Sequence, residues 1–424
     1  MSPVRPDVKV VGRRLDPEHY RLRDFLTRAA QPHTWFEVGS DAAQELLARH
    51  GLVDPELPVV IDGDQALAGV TFEQLAERWN VLTPPAKEFY DLAIVGAGPA
   101  GLAAAVYAAS DGLSTVVVER DLPGGQASHT SLIENFFGFP EGIGGAELAR
   151  LAGRQAEKFG AELLVLRGVV GSCIDADGSI RLRLAGEVEV AAPVLLVAPG
   201  MEWRRLDLDG VDELLGRGVY YGAGRSEAAR CAGDHVFVVG AGNSAGQAVM
   251  HLAGHGAHVT MLVRGDRLGK NLSAYLVDRI ERHPLIDVRL ETQVVALHDD
   301  GETLCGVTVT GPGGSSERLS GCALFLCLGG LPRTGWAAEA GVRTDRAGYL
   351  LTGPDLLEAG RRPDDWPLDR DPLALETNIP GVFAAGDVRS GSTKRVAGAV
   401  GEGAMAVALA HRRLAELAEA RTNT

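Results

Sequence analysis

The chain has 424 residues, 46% of them hydrophobic and 23% charged, with a formal net charge of −15. That length allows two or three domains with sizeable cores. The acidic balance excludes nucleic acid and anionic membrane surfaces as partners, because both want a basic face.

No apolar run approaches the ~20 residues of a membrane span, and the first residues lack the apolar centre of a secretory signal. The cysteines at 173, 231, 305, 322 and 327 form no C-x-x-C pair. Scattered free thiols fit a reducing, cytoplasmic setting. No metal site is expected.

Residues 1–83 read as a small α/β domain. VKVVG is a strand, and a helix follows with Asp16 as N-cap and Pro17 at its first position. HTWFEVG alternates like a strand, and SDAAQELLARHG is a helix capped by Ser40 or Asp41 and closed by Gly51. LPVVIDG and QALAG are two short strands around an Asp-Gly turn, before an amphipathic helix TFEQLAERW. This β-α-β-α-β-β-α order resembles the thioredoxin or glutaredoxin fold, and Pro58 stands where that fold carries a cis-proline. The redox cysteines of that fold would follow the first strand, where this chain has Gly12, Arg13, Arg14 and Leu15. The resemblance therefore implies a docking or dimerisation module, since no thiolate is present to carry electrons. Residues 84–90 form a linker stiffened by Pro84-Pro85.

From Asp91 strand–turn–helix units begin. DLAIVGAGPAGLAAA places Gly96, Gly98, Pro99, Ala100 and Gly101 between a strand and a helix. In that context the glycines permit a tight turn, close approach of a pyrophosphate, and helix–strand packing. Glu119, followed by Arg120, ends the next strand about 20 residues on, where an acid holds the adenosine ribose. Four later segments resemble flavin motifs of the thioredoxin reductase family. They are PGGQ with Gly125 and Gln126, IENFFGFP with Asn135, IPGVFAAGDV with Gly386 and Asp387, and KRVAGAVGEG with Arg395, Val396 and Ala397. The family often has Gln where Val396 stands, so one side-chain contact is lost. The resemblance implies FAD at these residues.

HVFVVGAGNSAGQA repeats the turn with Gly240, Gly242, Asn243, Ser244 and Ala245. The following strand ends in Arg264, where an NAD site carries an acid and an arginine accommodates a 2′-phosphate. Arg267 and Lys270 add charge, although Gly265 replaces a second arginine of the family pattern. NADPH is favoured over NADH. The expected fold is α/β, with two doubly wound Rossmann-like (FAD/NAD(P)-binding) domains preceded by the thioredoxin-like domain. The FAD domain is split over 91–203 and 325–424, and an NAD(P)H-binding-like domain spans 204–324. Residues 352–375 read as a Pro- and Asp-rich surface loop, and an Ala-rich helix ends the chain.

Thioredoxin reductases carry a C-x-x-C ahead of the second glycine turn. Here the equivalent positions are Gly222 and Arg225, and Cys231 stands alone further on. Disulfide exchange needs a thiolate pair, so dithiol-mediated reduction of thioredoxin is not expected. Cys231 reads as a lone thiol, and Cys327 as packing. Candidate catalytic residues are His129, beside the expected ring, and Tyr220, Tyr221 and Arg225, which line the vacated dithiol position or simply fill it. The resulting reading is an FAD-dependent NAD(P)H oxidoreductase, a homodimer by resemblance, whose flavin reduces a non-disulfide acceptor, small molecule or protein. A ferredoxin–NADP-reductase-like enzyme, a flavin oxidase or dehydrogenase of a small metabolite, and a non-enzymatic flavin redox sensor are the alternatives.

Overall fold

A computed structural model of the chain describes residues 8–29, 31–79, 82–130, 132–222, 227–270 and 272–422. Three sheets organise it. The N-terminal sheet orders its strands His33–Glu37, Val8–Gly12, Val59–Asp62 and Gln65–Leu67. The first pair is parallel and the other two are antiparallel. Helices Pro17–Arg28, Asp41–Arg49 and Phe72–Arg78 complete the unit. Their starts follow from capping chemistry: the Asp16 carboxylate accepts from the backbone N–H of Glu18 and His19, and the Ser40 hydroxyl accepts from Ala43. Ser40, not Asp41, is the cap. The Leu57–Pro58 peptide is cis.

A five-stranded parallel sheet follows, ordered Val382–Ala384, Val194–Val197, Leu92–Val95, Thr115–Val118 and Glu162–Leu164. Its inner strands are buried at every position, as a parallel sheet covered on both faces requires. Helix Pro99–Ser110 packs against the C-terminal helix Val396–Thr422 through small residues. A Cβ on Gly403 would lie 2.1 Å from the Ala100 carbonyl, so only glycine lets the two helices approach this closely.

The second parallel sheet is ordered Val219–Tyr221, Ala323–Leu326, His235–Val239, His258–Leu262 and Ile286–Arg289. Strand Ala323–Leu326 lies between Val219–Tyr221 and His235–Val239. The boundary expected between residues 324 and 325 therefore falls inside a central strand, and the second unit runs a few residues further. The chain crosses between the two parallel sheets through the antiparallel pair Met201–Trp203 and Gly330–Pro332. Each unit also carries a three-stranded antiparallel sheet, over Val169–Ala192 and Gln293–Ser320.

Residues 352–375 are more than a surface loop. Thr352, Leu356, Trp366, Leu373 and Leu375 are buried, and Leu373 and Leu375 join the core of the first parallel sheet. Arg370 bridges this stretch to Glu376 and to Glu416 of the C-terminal helix, at 2.6 Å each. No described helix is long and apolar enough to cross a membrane.

Candidate active site

The first glycine turn is built by close approach. A Cβ on Gly96 would lie 2.2 Å from the Ala198 carbonyl, and one on Gly101 would lie 1.8 Å from the Gly96 carbonyl. At Gly98, the N-cap of helix Pro99–Ser110, the space around a Cβ is open and no side chain caps the helix. Unpaired helical N–H groups beside an open space are what an anionic phosphate binds. Glu119 is buried behind this turn, accepting from the backbone N–H groups of Ala97 (2.7 Å) and Asp121 (2.9 Å). Burial pushes its carboxyl above the usual range, and those two N–H groups oppose the shift.

A cavity of about 440 Å³ opens at this turn. Gly98, Pro99, Ala100, Glu119, Arg120, Gly125, Gln126, His129 and Asn135 line it on one side, and Gly386, Asp387, Arg395 and Val396 on another. A second cavity of about 290 Å³, adjoining the first at Glu119, Arg120, Pro199, Glu202 and Arg333, reaches Gly96. Asp387 lies in a short turn after strand Val382–Ala384, and burial raises its carboxyl above the ordinary range. Gln126 is fixed by donating from Nε2 to the Met201 carbonyl at 3.1 Å. Gly101 and Ala397 stand behind the lining, in the helices that carry it.

The second glycine turn reaches the same cavity. Asn243, Ser244 and Gln247, on the first turn and a half of helix Asn243–Gly254, are lining residues. Gly242 is the N-cap of that helix, without a side-chain cap and with open space around a Cβ. Gly240 has φ +145° and would place a Cβ 2.4 Å from the Cys327 carbonyl, so only glycine fits. Ala245 is buried beneath it. Arg264, Arg267 and Lys270 are exposed beyond the end of strand His258–Leu262.

Gly222 lies beside the cavity wall. A Cβ on Gly222 would be 3.6 Å from the His129 Cβ and 3.7 Å from the Trp203 ring. Gly222 has φ +88°, where a cysteine would be strained. Arg225 lies outside the described residues. His129 packs edge-on against Trp203, ring centroids 5.8 Å apart, and burial holds its imidazole below the usual histidine range.

Tyr220 and Tyr221 do not line the cavity. Tyr220 is buried between Tyr20 (5.6 Å) and Phe325 (5.3 Å). The Tyr221 hydroxyl accepts from the Leu206 N–H at 3.2 Å. Both are packing residues: on strand Val219–Tyr221 at the edge of the second sheet they point to opposite faces, Tyr220 into one core and Tyr221 against the other. Cys327 is buried, its thiol pushed up to about 12 and donating to the Gly222 carbonyl at 3.6 Å. Cys231 is not alone: the neighbouring Cys322 thiol pushes its thiol up, and burial adds to the shift.

Sequence reasoning missed Asp24 and Arg28. Both belong to helix Pro17–Arg28 of the N-terminal unit and both line the main cavity. Lys394, Trp203, Gln247 and Arg333 were missed as well.

The model of the pyridine nucleotide-disulphide oxidoreductases matches residues 90–403. The chain belongs to that family. Thioredoxin reductase of Bacillus subtilis is 32% identical over 334 residues, covering 78% of this chain and 97% of the relative. Thioredoxin reductase of Listeria innocua is 32% identical over 335 residues, covering 79% and 97%. Among solved structures, Lactococcus lactis thioredoxin reductase superposes with a TM-score of 0.67 at 29% identity, covering 77% of this chain and 99% of that one. The T. acidophilum thioredoxin reductase gives 0.66 at 27%, covering 76% and 97%. The chain is thus an oxidoreductase of thioredoxin reductase type. Residues 1–89 lie outside the family match.

Proposed function

We propose that this oxidoreductase binds FAD and NADPH and passes electrons from the flavin directly to a non-disulfide acceptor. The observation that carries the reading is the shared cavity. Both glycine-turn helices open their N-termini onto it, and Gly222, which by resemblance takes the first cysteine's position, has a φ of +88° that disfavours any side chain.

The residues present fit FAD. The open space over Gly98 suits a pyrophosphate, buried Glu119 suits a ribose, and Gly125, Gln126, Asn135, Asp387, Arg395 and the backbone at Val396 and Ala397 suit the rest. Bound there, FAD supplies two-electron exchange with a nicotinamide on one side and an acceptor on the other. The protein's part is to orient and to exclude water. Gly240, Gly242, Asn243, Ser244 and Ala245 shape the turn for the nicotinamide dinucleotide. Arg264 receives the 2′-phosphate that distinguishes NADPH. His129, half-buried in the cavity wall with its imidazole held below the usual histidine range, is placed to exchange a proton with whatever binds beside Trp203. In this reading the chain falls in a branch of the family that lacks the dithiol, and assembles as a homodimer.

Steady-state oxidation of NADPH with a disulfide reagent, compared with non-disulfide acceptors, tests the reading. The expected result is turnover at least 100-fold faster with a non-disulfide acceptor. Dominant disulfide turnover would overturn it.

A further inference from the structure

The chain passes between the two parallel-sheet units through Met201–Trp203 and Gly330–Pro332, which pair as a short two-stranded ribbon. A ribbon of that kind bends and twists, so relative motion of the two units is the default. The direct ion pair between them is weak. Arg279 Nη1 donates to the Glu134 carboxylate at 2.8 and 2.9 Å, but both side chains are open to water, and such a pair contributes little.

The N-terminal unit joins the same two units away from this ribbon, by helix Pro17–Arg28. Its fastening to the first unit is broad. Arg28 donates both Nη atoms to the Asp121 carboxylate, at 2.7 and 3.2 Å, and Leu122 is buried in the N-terminal core. The linker adds to this, because Glu162 accepts from the Ala86 N–H and from the hydroxyl of buried Tyr90. The N-terminal unit therefore rides on the first unit.

Its contact with the second unit is compact and closed to water. Arg23 Nη2 donates to Glu227 Oε1 at 2.6 Å, with side chains only 3% and 1% exposed. The Arg23 guanidinium also lies over the Tyr20 and Trp35 rings, 5.5 and 5.1 Å from their centroids. Tyr20 packs against Tyr220, which stacks on Phe325. Those two rings sit on paired strands, Val219–Tyr221 and Ala323–Leu326, so the helix holds the second sheet itself rather than a surface loop. Separating the surfaces would expose these rings to water. A partial slip would leave Arg23 and Glu227 apart yet still buried, which is costlier. The rings thus supply adhesion, and the ion pair fixes the register.

We propose that Tyr20 and Arg23 are positioning residues, through which the N-terminal unit clamps the second parallel-sheet unit at the angle where both glycine turns face one cavity. This rests on reading that cavity as the site of two dinucleotides. Neither residue lines the cavity. They act on transfer between the cofactors only through the angle between the units, and transfer is sensitive to displacements of about 1 Å. A unit without redox cysteines thereby keeps a role in the reaction.

The test uses the full chain loaded with FAD. Nitroxide labels on Cys173, exposed in the first unit, and on Ser316→Cys, exposed in the second, report the distance between units by double electron–electron resonance. Cys305→Ser and Cys322→Ser remove the two part-exposed thiols of the second unit. With Tyr20 and Arg23 intact, one narrow distance distribution is expected, unchanged by NADPH. Tyr20→Ala with Arg23→Ala should widen it about twofold. Each single substitution gives a second reading should the pair together prevent folding. In the same variants without labels, the limiting rate of flavin reduction at saturating NADPH should fall about tenfold. Flavin content, the NADPH dissociation constant and reduction by dithionite should stay as in the parent. A parent flavin that NADPH does not reduce would remove the two-dinucleotide reading, and the distances would still decide the clamp. A broad distribution in the parent, or flavin-loaded variants with an unchanged distribution or an unchanged limiting rate, would overturn the proposal.

Discussion

At the scale of single residues, the account rests on atoms that only certain side chains supply. Gly98 leaves open the space that a pyrophosphate needs, whereas Gly101 has no room for a methyl group. Gly98→Val should therefore fold yet purify without flavin, read as loss of the visible flavin band with an unchanged far-ultraviolet circular dichroism spectrum. His129 carries a pH signature. Its folded pKa is depressed by burial, so its contribution to stability is fully present above the unfolded value of about 6.5 and is lost as pH falls below that. His129→Gln should flatten this part of the profile, measured as the melting temperature between pH 7.5 and 5.5. The tight turn at the glycines and the carboxylate of Glu119 beneath it were legible because a strand–turn–helix junction fixes residue types at short spacing. Whether Tyr220 lines a pocket or fills space was left open, because the sequence does not say which side of an edge strand faces a cavity. Here Tyr20, 200 positions away, takes that ring.

At the scale of elements, helix Pro17–Arg28 matters most. Its start was readable from Asp16 and Pro17, but its partners were not. Arg28 meets Asp121 across 93 positions and Arg23 meets Glu227 across 204, and no local pattern reports such pairs. Likewise the 352–375 stretch reads as loop by its prolines and aspartates, yet its buried Trp366 and leucines seal the first sheet. A buried ion pair adds little over a well-packed apolar pair, but removing one partner strands the other charge. Arg23→Met should cost about 3–5 kcal/mol, seen as a lower urea midpoint for the first unfolding transition. An unchanged midpoint would mean that Glu227 does not depend on Arg23.

At the scale of the whole molecule, two parallel-sheet units and a thioredoxin-like unit meet around one cavity. The strand–turn–helix plan of each large unit was legible from hydrophobic runs and glycine turns, because parallel strands buried on both faces read as continuous apolar segments. The relative placement of the units was not, since it depends on the antiparallel crossover of Met201–Trp203 with Gly330–Pro332 and on the N-terminal helix. That placement brings Asn243, Ser244 and Gln247 to the cavity that begins at Gly98. It makes direct exchange between two dinucleotides the central claim. Anaerobic mixing of the flavin-loaded protein with NADPH, and separately with NADH, tests it most directly. The account predicts bleaching of the flavin absorbance within seconds by NADPH and more slowly by NADH. A flavin band left unchanged by both nucleotides would contradict it.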